Sequence, residues 1–328
     1  MSSNRKTSRE RTRQLLEIAR RYYLSDESMV SISDQLGISR FKVARLLHEA
    51  REQGVVTITL NTGGDEDPEL AAQLVERFGL QRAVVVKAYG TVEEVRRIVG
   101  VAAGRHLSGT LRQGETLGLA WGRTLTYMIE SLDRLPDIQV LQLNGSVGSD
   151  LSQSPIELVR RAALLGGNKA RALMAPLYID NLQAAEVLRR QPDLKEVFDL
   201  YDTVTTAVVA VGGLQSQAEG VNNSQFLPLL PPSAREELLA AGAVAEVCGL
   251  PFCEDGSLAN TSIVEHILAI SPEQLRRVPR VIAIASHRSK ADAILAIWRA
   301  DLISELVVDD DLAEALLSAQ PRSGGRVG

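Results

Sequence analysis

The stretch Ser31-Ile32-Ser33-Asp34-Gln35-Leu36-Gly37-Ile38-Ser39-Arg40-Phe41-Lys42-Val43-Ala44-Arg45-Leu46-Leu47 reads as two short helices joined by a glycine turn. Met29, Ile32 and Leu36 keep a helical spacing up to Gly37, which stops the first of the two. Ser39 stands where an N-cap would start the second. Val43, Leu46, Leu47 and Ala50 then give that second helix a buried face. Upstream, Leu15, Ile18, Ala19 and Tyr22 recur at i, i+3, i+4 and i+7, one face of a further helix. Gly54 ends the third helix, and residues 55–60 are β-rich enough to predict a strand. Together these elements predict a helix-turn-helix.

The outer side of the third helix carries Arg40, Phe41, Lys42 and Arg45 after the capping Ser39. Such a helix can enter the major groove of DNA, where arginine and lysine meet guanine edges or phosphates. Phe41 could touch a thymine methyl or pack inward. The run Arg5, Lys6, Arg9, Arg11 and Arg13 could add phosphate contacts. The plainer alternative is a small helical bundle with a solvated basic face. Charge separates the head from the rest. Residues 1–60 hold 11 of the 36 basic but only 7 of the 41 acidic residues, leaving 25 basic and 34 acidic residues for the body. A basic head on an acidic body favours a nucleic-acid contact made by the head.

After Asn61-Thr62-Gly63-Gly64-Asp65 the pattern changes. Short β-branched runs at 83–87, 116–120, 139–143, 170–174, 206–211, 244–248, 281–285 and 305–308 alternate with helix-period stretches. Repeated βα units predict a mostly parallel sheet covered by helices. The expected organisation is a head over 1–60, a linker over 61–65, an α/β domain over 66–320 and a disordered tail over 321–328. Gly166-Gly167-Asn168-Lys169 reads as a helix end leading into a strand, not as a phosphate loop.

Several classes are excluded or disfavoured. The 328 residues contain no apolar run long enough to cross a membrane, and the arginine-rich start is no secretory signal, so a cytoplasmic protein is expected. Two cysteines, Cys248 and Cys253, rule out a disulfide scaffold. His48, His106, His266 and His287 show no ligand spacing around them, so no metal is expected. The common nucleotide-loop, nucleophile-elbow and zinc-protease motifs are missing, and no cofactor is expected.

The stretch quoted first, followed by Ala50 through Val56, resembles the head of the SorC family of bacterial sugar-responsive transcriptional regulators. The likeness continues through Leu117-Gly118-Leu119-Ala120-Trp121-Gly122-Arg123-Thr124-Leu125, through Gly242-Ala243-Val244-Ala245-Glu246-Val247 and through residues 281–317. The resemblance implies a Rossmann-like, sugar-isomerase-like α/β body that binds a phosphorylated sugar or polyol. It also implies operator DNA as a partner and a dimer or tetramer. A sugar-phosphate isomerase-like enzyme with a structural helical extension is the alternative, because fold does not fix function.

Three loops suit the effector. Gly122, Arg123 and Thr124 follow a strand and precede a helix, so backbone N–H groups, a guanidinium and a hydroxyl could converge on an anion. Asn144, Gly145 and Ser146 also follow a strand. The third loop holds Ser286, His287 and Lys290. Here the family pattern is two glycines, two residues and a lysine, and Lys290 falls on that lysine. Ser286 and His287 replace the glycines, so side chains stand where backbone would approach a phosphate. Glu246 replaces the family's aspartate and could accept a sugar hydroxyl. Each loop also has a plain reading as an ordinary polar turn.

Overall fold

The computed structural model describes residues 2–56, 63–147, 154–167, 169–215 and 224–319, with side chains from residue 10 onward. It divides into two units, residues 1–61 and 62–328. The head has three helices, α1 (Ser2–Tyr23), α2 (Met29–Leu36) and α3 (Arg40–Glu52). Ser28 and Ser39 cap α2 and α3, their hydroxyls accepting from the Ser31 and Lys42 N–H groups. Gly37 takes φ 63°, the left-handed conformation that ends α2. Leu15, Ile18, Ala19, Ile32, Val43, Leu46, Leu47 and Ala50 form one buried cluster. The strand expected over 55–60 is not seen at Val55 and Val56, which form a bend, and residues 57–60 lie outside the described residues.

The body contains β1 (Gly63–Glu66), α4 (Pro68–Phe78), β2 (Arg82–Ala88), α5 (Val92–Thr110), β3 (Thr116–Leu119), α6 (Arg123–Glu130) and β4 (Gln139–Gln142). Next come α7 (Pro155–Leu165), β5 (Lys169–Arg171), α8 (Leu182–Arg190), α9 (Pro192–Leu200), β6 (Thr206–Gly213), α10 (Pro232–Ala240), β7 (Ala243–Val247) and β8 (Leu250–Cys253). The chain then forms α11 (Ile263–His266), α12 (Pro272–Arg277), β9 (Arg280–Ile284), α13 (Ala291–Arg299), β10 (Glu305–Asp309) and α14 (Asp310–Ser318).

The main sheet runs β1-β2-β10-β9-β6-β3-β4-β5. Every pair in it is parallel except β1 with β2. Helices cover both faces, which is why β3, β6, β9 and β10 read as nearly unbroken apolar runs. The order of the strands matters for function. From β3 the chain builds outward through β4 and β5, then returns to β6 on the other side of β3 and builds the opposite way through β9 and β10. The reversal leaves a crevice beyond the carboxyl ends of β3 and β6, the place where open α/β sheets hold ligands.

Several sequence expectations need correction. Residues 63–65, read as linker, start β1, an edge strand held against β2; two glycines hid its pattern. The run 244–248 is not a parallel strand. As β7 it pairs antiparallel with β6 and with β8, through a turn whose Cys248 and Gly249 both take positive φ. The run 170–174 gives only the three-residue edge strand β5. Gly166 caps α7 and Lys169 opens β5 as expected, while Asn168 and the tail from residue 320 lie outside the described residues.

Candidate functional site

In the head, Ser39 at the α3 N-cap and Arg40, Phe41, Lys42 and Arg45 after it are all exposed. Phe41 does not pack inward: 87% of its surface is open. Arg11 is not available as a phosphate contact in the way its sequence run suggested. Its guanidinium forks onto the Glu49 carboxylate, tying α1 to α3. That bond holds the Glu49 carboxyl below the usual carboxylate range. Arg13 is exposed, and the side chains of Arg5, Lys6 and Arg9 lie outside the described ones.

In the body, five of the predicted effector residues meet in the crevice at the strand reversal. Gly122, Arg123, Thr124, Glu246 and Lys290 line one cleft together with Arg96, Trp121, Gln225 and the end of β6 at residues 210–212. The cleft is open to solvent, and its empty volume up to the mouth is about 370 Å³. Gly122 is required where it stands. Its φ is 152°, and a Cβ there would lie 2.7 Å from the Ala210 Cβ, so only glycine lets β3 turn into α6 against β6. It leaves the N-terminus of α6 without a side-chain cap, and N–H groups at such an end favour an anion.

The packing of α5 on α6 brings two guanidinium groups to that end. Gly100 removes the side chain that would otherwise keep the helices apart; a Cβ there would be 2.6 Å from the Tyr127 Cβ and 2.8 Å from the Thr124 carbonyl oxygen. One turn earlier, Arg96 is buried and paired with Glu93, which also accepts from the Tyr127 hydroxyl at 2.6 Å. Burial lowers the Arg123 pKa and repulsion from Arg96 lowers it further. An anion placed between two such groups would relieve both costs.

Lys290 completes the cationic side. Its Nζ donates to the Val211 carbonyl at 2.6 Å. Burial brings its pKa down to about 8, with Arg96 and Arg123 pushing the same way and Glu246 opposing. Glu246 is 5% exposed and reaches over Gly212, and one carboxylate oxygen accepts the Gly249 N–H at 3.0 Å. Burial raises its pKa to about 7 against that hydrogen bond and the attraction of Lys290. Three cations and one half-titrated carboxylate suit a small ligand carrying an anionic group and hydroxyls.

The other predicted residues stand elsewhere. Gly145 packs against the backbone of Pro176 and Leu177, and Asn144 is fully buried with its Nδ2 donating to the Gly145 carbonyl. Asn144, Gly145 and Ser146 therefore serve the layer beside β4 and do not line the cleft. Ser286 is buried. His287 takes φ 79° and ψ 132°, and its N–H donates to Asp309 at 2.6 Å. The His287 Nδ1 accepts the Ser289 N–H at 3.2 Å. The His287 and Ser289 amides of the third loop are thus spent on the side chains of Asp309 and His287, and of the three predicted residues of this loop only Lys290 lines the cleft. Arg96 was missed by sequence reading, although it sits in the otherwise apolar stripe Val92, Val95, Val99 and Ala103 of α5, where a charge is out of place.

A family model described as "Putative sugar-binding domain" matches residues 65–318. The sorbitol operon regulator of Klebsiella pneumoniae is 29% identical over 315 residues, 93% of this chain and 98% of that protein. The transcriptional regulator YjhU of Escherichia coli K12 is 27% identical over 307 residues, 91% of this chain and 92% of that protein. The crystal structure of the full-length K. pneumoniae regulator SorC is similar with a TM-score of 0.70 and 26% identity, covering 93% of this chain and 99% of that one.

Proposed function

The chain belongs to the putative sugar-binding domain family and is a SorC-type transcriptional regulator, not an enzyme, and from that premise we propose what each unit recognises. The head binds operator DNA through α3, with Ser39, Arg40, Phe41, Lys42 and Arg45 at the interface. The body binds a phosphorylated sugar or polyol in the cleft at the carboxyl ends of β3 and β6. The convergence of Arg96, Arg123 and Lys290 on that cleft is the observation that carries this reading. Arg123, Lys290 and the N-terminus of α6 hold the phosphate, and Glu246 accepts a hydroxyl. The protein works in the cytoplasm as a dimer or tetramer, which presents two α3 helices to a two-fold operator.

The test is fluorescence anisotropy of the full chain on DNA from upstream of its own gene, with scrambled DNA as control. Sequence-selective binding that weakens steeply with added salt is expected. Equal affinity for both duplexes at every salt concentration would remove the head from the account.

A further inference from the structure

Phe41 is the most exposed large hydrophobic side chain among the described residues. A single exposed apolar residue is ordinary by itself; its place on α3 is what carries meaning. Successive helical residues turn by about 100°. Val43, Leu46, Leu47 and Ala50 make the buried stripe of α3. Phe41, Ala44, Arg45 and His48 recur at i, i+3, i+4 and i+7, are all exposed, and make a second stripe about 160° away from the first. Arg40 and Lys42 fall between the two stripes, about 70° to 90° from the buried one, on opposite flanks.

That division separates two jobs. A helix lying in the major groove turns its outermost stripe to the base edges and its flanks to the phosphate walls. The only apolar group on the major-groove edge of a base pair is the thymine methyl. Resting on the regulator reading above, we propose that Phe41 reads a thymine by its 5-methyl group, with Arg45 on the same stripe reading a base beside it, while Arg40 and Lys42 hold phosphates. This assignment leaves base reading to Phe41 and Arg45 and gives Arg40 a phosphate.

The experiment selects the preferred duplex for the full-length wild-type chain from a random pool. Each thymine in it is then replaced singly by deoxyuridine, which lacks only the methyl. At one position per half-site the replacement should weaken wild-type binding about fourfold, the worth of burying one methyl. Phe41→Ala, an exposed change that leaves the helical circular dichroism unaltered, should show no loss at that position. Arg40→Ala should weaken selected and scrambled duplexes alike and lower the salt slope by about 1. Identical deoxyuridine profiles for wild type and Phe41→Ala would overturn the thymine assignment while leaving the regulator reading intact. Relaxed preference at a single base pair in Arg40→Ala would overturn the division of the helix. Failure of the wild type to select any sequence would sink the regulator reading, and this proposal with it.

Discussion

Lys290 gives up its proton more readily than an exposed lysine, because burial and two neighbouring guanidinium groups all disfavour its charge. A bound phosphate would favour that charge again. The sign of the pH dependence follows. Below about pH 8 the lysine is already charged and binding costs no proton; above it the complex must take one up. Effector affinity should therefore hold near pH 7.5 and fall, by up to about tenfold per pH unit, from pH 8 toward 9.5. In that window a phosphate is fully ionised and Glu246 has already titrated. Isothermal titration at several pH values measures this, and a flat affinity from 7.5 to 9.5 would mean that Lys290 does not meet the anion. At this scale the sequence was legible where a residue's type was its signal: Arg123, Glu246 and Lys290, singled out there, line one cleft. It misled where a neighbour decided the role. His287 looked like a ligand, yet its ring is turned onto Ser289, in a backbone conformation that non-glycine residues rarely adopt.

Helix α5 matters through what it lacks. Gly100 lets α6 approach closely enough to set Arg123 beside Arg96. Gly100→Val should cost about 1–3 kcal/mol in stability, as overpacking does. It should also weaken effector binding well below the unfolding transition, because Arg96 and Arg123 would no longer share one end of the cleft. Gly109→Ala is the control in the same helix: its Cβ would meet nothing within 4 Å, and stability should stay level or rise. Differential scanning calorimetry with effector titration checks both, and equal behaviour of the two variants would contradict the role given to Gly100. Elements were mostly legible. The β-branched runs found the parallel strands because a strand buried on both faces needs no partner pattern to be recognised. The β7–β8 hairpin was not, since its turn is Cys248-Gly249 and Pro251 broke the second run. Strand β1 was lost because Gly63-Gly64 signals a loop when its pairing with β2 cannot be seen.

The chain joins a basic, three-helix head to a body whose sheet reverses its strand order at one crevice. The crevice could not be seen in the sequence, because the adjacency of β3 to β6 is a fact of the strand order. The residues at its edge could be listed but not gathered. For a bound metabolite to control a gene it must bind two states of the protein with different affinity, and the difference sets the size of the effect. The most direct measurement is the operator affinity of the wild type and of Lys290→Ala, each with and without a panel of sugar and polyol phosphates and their dephosphorylated forms. The account predicts that one phosphorylated compound changes the wild-type affinity by about 5- to 150-fold. Its dephosphorylated form should do nothing, and Lys290→Ala should bind the operator normally but lose the response. A shift that survives in Lys290→Ala, or one given equally by the dephosphorylated compound, would contradict it.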